Sequence, residues 1–282
     1  MYSVKFKSDD GKDFIFGKDA NIVFDMDLGE GVASNLYTTQ GFSQVGETVQ
    51  GRSIGGRTIN VKGTIFGNIQ NGKSRLRSVF TPFSSGTLFF ENQYKTRVFV
   101  KQSPSFSPVK NNGKFTMQFF APFPFFYTMQ EKINTIGSFL PMFSFPVNYA
   151  NPHQFGRTQT GGYLLLKNDG DVKVPFTINI ECIGRSTNPT VTNLHTFEML
   201  KLNGTLQNGD DVRIWRDKND ILKAELKREN EAIDIISWID EESNLFELNV
   251  GDNLVTISDE EGGADLIGRI SYSPAVVSIY ES

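Results

Sequence analysis

The chain has 282 residues, 38% hydrophobic and 21% charged, with a formal net charge of −4, 26 glycines, 25 phenylalanines and one cysteine. The length exceeds a usual single domain, so two domains are expected, and the interspersed charges supply no basic stripe for a phosphate backbone, which argues against a nucleic-acid partner. A lone cysteine excludes an intrachain disulfide and a thiolate zinc cage, and no segment reaches the ~20 apolar residues that span a bilayer, so a protein without a membrane partner is expected.

The N-terminal run Met1-Tyr-Ser-Val-Lys-Phe-Lys7 has no apolar signal core, and the product is expected to be soluble and made inside a cell. Val4 and Phe6 alternate, Asp9–Lys12 reads as a turn, and Phe14 and Phe16 alternate again, predicting a hairpin; Ile22–Met26 reads as a third strand. From Gly29 to Gly56 glycine recurs seven times among Ser, Thr, Gln and Asn, with Leu36, Tyr37, Phe42 and Val45 scattered between. That composition suits a long loop or an extended arm, and these four side chains are its candidate contact residues. Arg57–Gly67 then places Ile59, Val61 and Ile65 on one face and Thr58, Asn60, Lys62 and Thr64 on the other, the period of a half-buried strand. Gly63 interrupts it where a bulge or a close backbone approach would sit. Lys73–Phe80 has apolar residues at helical spacing and stops before Pro82, predicting one short helix; Thr96–Lys101 and Lys114–Phe119 are further strands.

Residues 128–162 carry prolines 141, 146 and 152 among Phe139, Phe143, Phe145, Tyr149 and Phe155 with neither period, and are read as the passage between domains. Alternation resumes at Tyr163–Lys167, turns at Asn168–Asp171, and continues in Val174–Ile183 with Val174, Phe176, Ile178, Ile180 and Cys182 on one face. Phe197–Leu202, Asp211–Trp215, Lys223–Arg228, Asn244–Leu248, Asn253–Ser258 and Arg269–Ser273 follow as short runs separated by Gly and Asn turns, the pattern of a β-sandwich. Ala232–Glu241 reads as a short helix or a loop beside the sheet. The fold class is therefore mainly β, in domains 1–127 and 163–282 joined by 128–162.

Catalytic chemistry has few candidates. The two histidines, His153 and His195, lack ligand partners at i+2 or i+4, and no serine or cysteine sits in a nucleophile-elbow context. Asp240-Glu-Glu242 and Asp259-Glu-Glu261 read as solvated turns, as do the Gly-Asp pairs at 170–171, 209–210 and 251–252, which lack a calcium-loop pattern. Gly51-Arg-Ser-Ile-Gly-Gly56 lacks the Lys-Ser/Thr ending of a phosphate loop. No enzyme activity, metal or cofactor is expected. Trp215 and Trp238 are candidate sugar-stacking residues, and a carbohydrate-binding module that recognises host cell-wall sugars is the alternative function.

Several fragments, taken in order, resemble the distal tail protein family of long-tailed bacteriophages. In the first half these are Arg57-x-Ile-x-Val-x-Gly, the helix around Leu76, Gly86-Thr-Leu-Phe-Phe90 and Phe119-x-Ala-Pro-x-Pro-Phe125. In the second they are Lys167-Asn-Asp-Gly-Asp171, Ile178-x-Ile-x-Cys-x-Gly184, Thr187-Asn-Pro-Thr-Val-x-Asn193, Gly209-Asp-x-Val212 and Leu248-x-x-Gly-x-Asn253. The resemblance implies an N-terminal β-sandwich-like ring domain with one short helix and a C-terminal galectin-like β-sandwich. It further implies a structural virion component, made in the bacterial host cytoplasm, forming a hexameric ring between tail tube and tail tip. Its implied partners are further copies of itself, the tail tube protein, the tip or hub protein and a receptor-binding protein. At 282 residues the chain has no room for the inserted carbohydrate-binding module that some members carry.

Overall fold

The computed structural model describes residues 3–17, 21–29, 32, 34–107, 112–141, 156–159, 162–244, 246–260 and 265–279. The centre of the proline-rich passage, with Phe143, Phe145, Pro146, Tyr149, Pro152, His153 and Phe155, lies outside these residues, as does Glu261. The chain divides into two units, one of residues 1–130 and 275–282, the other of residues 131–274.

In the first unit the strands are β1 (Val4–Ser8), β2 (Asp13–Phe16), β3 (Ile22–Asp27), β4 (Ser34–Thr39), β5 (Thr48–Ile54), β6 (Arg57–Ile65), β7 (Ser85–Phe90), β8 (Tyr94–Phe106), β9 (Lys114–Ala121) and β10 (Phe126–Thr128), with one helix, α1 (Ile69–Val79). The antiparallel sheet runs β2-β1-β7-β8-β9-β6-β3, and β10 joins β8 on one side and the terminal strand Ala275–Val276 on the other. Three strand intervals separate β1 from β9, ~14 Å in a flat sheet. Yet the rings of Phe6 and Phe119 are 5.7 Å apart, and Phe16 and Phe24, on the two outermost strands, are 5.2 Å apart. The sheet is therefore folded over on itself, in two facing layers around an aromatic core.

Phe80, at the C-terminal cap of α1, fills that core: it is fully buried, with ring centroids 5.1 Å from Phe6, 5.2 Å from Phe14 and 5.7 Å from both Phe16 and Phe119. The helix begins four residues before the predicted Lys73. Asn68 caps it, its side chain accepting from the Asn71 N–H at 3.1 Å, a start signal that the apolar spacing does not carry. Gly72 lets the helix approach β6 closely, since a Cβ there would lie 2.5 Å from Ile65 Cγ2. Buried Leu76 and Val79 complete the apolar stripe.

A buried cation anchors the end of the chain. Arg57, 8% exposed, donates to the carbonyls of Leu28 at 3.4 Å and Val277 at 2.8 Å, and its guanidinium lies 4.7 Å from the Phe126 ring centroid. Residues 275–279, which sequence places in the second domain, thus return to the first unit. A two-residue strand has no period to betray this long-range pairing.

The second unit contains β11 (Lys132–Ile136), β12 (Ser138–Pro141), β13 (Gly156–Gln159), β14 (Tyr163–Asn168), β15 (Thr177–Cys182), β16 (Ser186–Thr187), β17 (Thr190–Asn193), β18 (Met199–Lys201), β19 (Thr205–Leu206), β20 (Asp211–Arg216), β21 (Leu222–Arg228), β22 (Glu231–Asp234), β23 (Gly251–Ser258) and β24 (Leu266–Tyr272). An antiparallel sheet β11-β24-β15-β20-β21-β22 and a second, β14-β23-β17-β18, form a sandwich. Alternate residues of each strand supply the core: Ile178, Ile180, Cys182, Val212, Ile214 and Ile270 from one sheet, Leu166, Val191, Val255 and Ile257 from the other. Gly268 lets the Ile257 side chain of the facing sheet pack on its backbone, a Cβ there falling 1.9 Å from Ile257 Cδ1. Ala232–Glu241, expected as a helix or loop, contains most of β22 and the 3-10 turn Ile236–Trp238; β21 already offers an edge for that segment.

Candidate assembly surfaces

The glycine-rich segment after β3 is a β-hairpin, more ordered than the loop or arm read from its composition. β3 pairs with β6 from Ile22↔Ile65 to Asp27↔Asn60, and beyond a break β4 pairs with β5 from Ser34↔Ile54 to Thr39↔Thr48. The two registers nearly coincide, so the hairpin prolongs the β3–β6 ribbon past the sheet. A bulge after Tyr37 opposes Thr38 to Val49, which leaves Val49 on the face that also carries Leu36 and Ile54. Tyr37 lies on the other face, its ring 3.8 Å from a Cβ built at Gly51 and its hydroxyl 3.2 Å from Ser53 Oγ.

Polar side chains hold the hairpin together. Gln44 Oε1 accepts from the Gly41 N–H at 2.9 Å, Gln44 Nε2 donates to Thr48 Oγ1 at 2.9 Å, and Gln50 Nε2 donates to Thr39 Oγ1 at 3.0 Å. The apolar side chains point to solvent instead: residues 34–50 are all exposed, and Phe42 and Val45 reach 105% and 101%. The four sequence candidates Leu36, Tyr37, Phe42 and Val45 all belong to this surface. Val49 and Ile54 extend it, and their place in the run Thr48–Ile54 was a signal obscured by the surrounding Gly and Gln. Two isolated strands are marginal in water, and no residue of the described chain covers the apolar side chains of this pair. The Gly51–Ile54 part of the phosphate-loop look-alike is strand β5, with no helix N-terminus after it.

In the second unit Trp215 is half-buried on β20, opposite Lys223, with the Arg213 guanidinium 4.7 Å from its ring centroid. The adjoining cavity, lined by Phe176, Leu222 and Phe246 among others, measures about 30 Å³, room for a water or two and too small for a sugar ring. Trp238 packs against Gly204, where a Cβ would fall 2.2 Å from Cε3, and its carbonyl accepts from the Asn203 N–H at 2.6 Å.

The acidic residues are fastened in turns. Asp240 accepts from the Glu242 N–H at 2.8 Å and from Asn203 Nδ2 at 2.9 Å, and Glu260 pairs with Lys201 at 3.3 Å. The carboxyls of Asp27, Asp169, Asp210, Asp217, Asp240 and Glu260 are all held below the usual range, and in each the leading cause is a hydrogen bond. A general acid requires the opposite displacement. His195 is exposed, with Nδ1 3.1 Å from the Asp252 carbonyl. Cys182 is buried and free, and burial pushes its thiol up, away from thiolate chemistry.

Two family models match: the phage tail protein RIFT-related domain over residues 10–121, and the siphovirus-type tail component, C-terminal domain, over residues 169–275. The chain belongs to the distal tail protein family and is a component of the virion tail. Among solved structures, it is similar to the SPP1 Dit (gp 19.1) protein, whose structure is described as a paradigm of the hub adsorption apparatus in phages infecting Gram-positive hosts. Identity is 12% and the TM-score 0.66, over 98% of this chain and 99% of that one. A chain of the phage P2 baseplate in its activated conformation matches at 13% identity and TM-score 0.47, covering 96% of this chain and 98% of that one. No curated protein matches the sequence.

Proposed function

We propose that the chain is the subunit of a hexameric ring that joins the phage tail tube to the tail-tip adsorption apparatus, and that its role is mechanical, without catalysis. The observation that carries this reading is the β4–β5 hairpin, an exposed ribbon with apolar side chains on both faces. Leu36, Tyr37, Phe42 and Val45 are its contacts with neighbouring subunits. Rings are built from such head-to-tail contacts between unlike patches. The family membership and the fold shared with a hub protein support the same reading, with the tail tube protein, the tip or hub protein and a receptor-binding protein as neighbours.

The test is to replace residues 35–53 by a two-residue Asn-Gly turn, which lets the flanking strands close without the projecting part. The shortened protein is expected to remain folded by circular dichroism and to be monomeric at concentrations where the full chain forms rings. Intact rings from the shortened protein would overturn the assignment.

A further inference from the structure

The ribbon that carries the hairpin at one end has an open apolar groove at the other. The groove, about 660 Å³, lies across Val23, Phe24 and Gly63 of the β3–β6 pair and continues to Phe106 and Phe115. Gly63 forms its floor, where the Phe115 ring packs directly on the backbone: a Cβ there would fall 2.6 Å from that ring and 3.0 Å from the Val23 carbonyl oxygen. Val23 on its wall is 50% exposed. The rim is mainly cationic. Lys62 and Lys114 line it beside Asp25, and from α1 Lys73 and Arg77 stack on the Phe106 ring at 5.4 and 4.9 Å. The hairpin tip offers the complement: Phe42 and Val45, fully exposed, followed by the acidic Glu47.

We infer that the hairpin tip of one copy seats in this groove of the next, with Phe42 and Val45 against Phe106 and Val23 and Glu47 facing Lys62 and Lys114. The inference deepens, and rests on, the reading of the hairpin as the ring contact. The occupant is a second copy for a geometric reason. The groove lies at the Val23↔Thr64 end of the ribbon, whereas the hairpin leaves from the Asp27↔Asn60 end. Its strands carry the tip a further ~25 Å away at the usual rise per residue, so the tip does not reach its own groove. Unlike patches at opposite ends of one element make a heterologous contact, the kind that closes a ring.

Two measurements test this. The only native cysteine is buried Cys182, so Val45→Cys and Thr64→Cys can be introduced together and oxidised mildly with copper-phenanthroline. A covalent ladder ending at the ring number is expected from the pair, and at most dimers from either single variant. Lys62→Glu with Lys114→Glu is expected to raise the concentration of half-assembly about tenfold, and adding Glu47→Lys to restore it. Rings that assemble by light scattering without a ladder, and without response to charge reversal, would overturn the groove contact while leaving the hairpin reading intact. A chain that stays monomeric at every concentration would overturn both.

Discussion

The ion pair between Asp210 and Arg228 offers the most quantitative test of the second unit's structure. Asp210 is 2% exposed, and Arg228 grips it at two points, Nε to Oδ1 at 2.9 Å and Nη2 to Oδ2 at 2.5 Å, while Oδ2 also accepts from the Gln207 N–H at 2.8 Å. Both groups are displaced as a pair requires, Asp210 downward mainly through Arg228 and Arg228 upward mainly through Asp210. Arg228→Met keeps the aliphatic stem and removes the charge, leaving a buried carboxylate with one backbone donor. Removing one partner of a buried pair costs about 3–5 kcal/mol, and because the Arg228 side chain is 33% exposed the lower end applies, about 3 kcal/mol.

The cost has a pH signature. In the parent protein the Asp210 pKa lies below its unfolded value of about 3.9, so the stabilisation is complete above that pH and fades as pH falls through the folded pKa. In the variant the unpaired, buried carboxyl takes up its proton above the unfolded value, which relieves the penalty on acidification. The gap between the two proteins is therefore widest near pH 7 and narrows towards pH 4. Urea unfolding followed by tryptophan fluorescence reads this unit alone, since Trp215 and Trp238 both fall within residues 131–274. A difference below about 1 kcal/mol, or one that does not change with pH, would refute the reasoning.

Three further outcomes follow from packing and exposure. Leu76→Ala, which opens a void under α1 where the side chain is fully buried, is expected to cost about 2–5 kcal/mol and to lower the melting transition of the first unit in calorimetry. Gly268→Val forces side-chain atoms into the space held by Ile257 and Ile136, and is expected to lower the urea midpoint of the second unit by the equivalent of about 1–3 kcal/mol. Phe42→Ser with Val45→Ser removes only exposed apolar surface. Chemical denaturation of the monomer is expected to shift by no more than about 0.5 kcal/mol, while sedimentation velocity shows a loss of rings.

The strands with a buried face were legible in sequence because burial imposes a period of two. Val4 and Phe6, Ile59 and Val61, and Phe115, Met117 and Phe119 alternate and are all buried, as do Ile178, Ile180 and Cys182 in the other unit. In sequence the hairpin β4–β5 has the look of a loop or arm because none of the described residues buries either of its faces. With Leu36 and Tyr37 adjacent on opposite faces and a bulge shifting the register, no alternation survives. Its apolar residues were legible as contact candidates all the same, since Phe42 and Val45 stand out in a polar stretch. The groove at Gly63 is half visible in sequence: the glycine announces a close approach, but the residues it meets there, Val23 on β3 and Phe106 and Phe115 on the β8–β9 pair, are far from Gly63 along the chain.

The central claim, that this tail protein is built to form a ring, is tested most directly by the mass of the full-length chain. Multi-angle light scattering across a concentration series, with negative-stain images of the same fractions, provides it. The account predicts a sixfold mass and annular particles that disappear when the β4–β5 hairpin is removed. A strict monomer at the highest concentrations, with the hairpin intact, would contradict it.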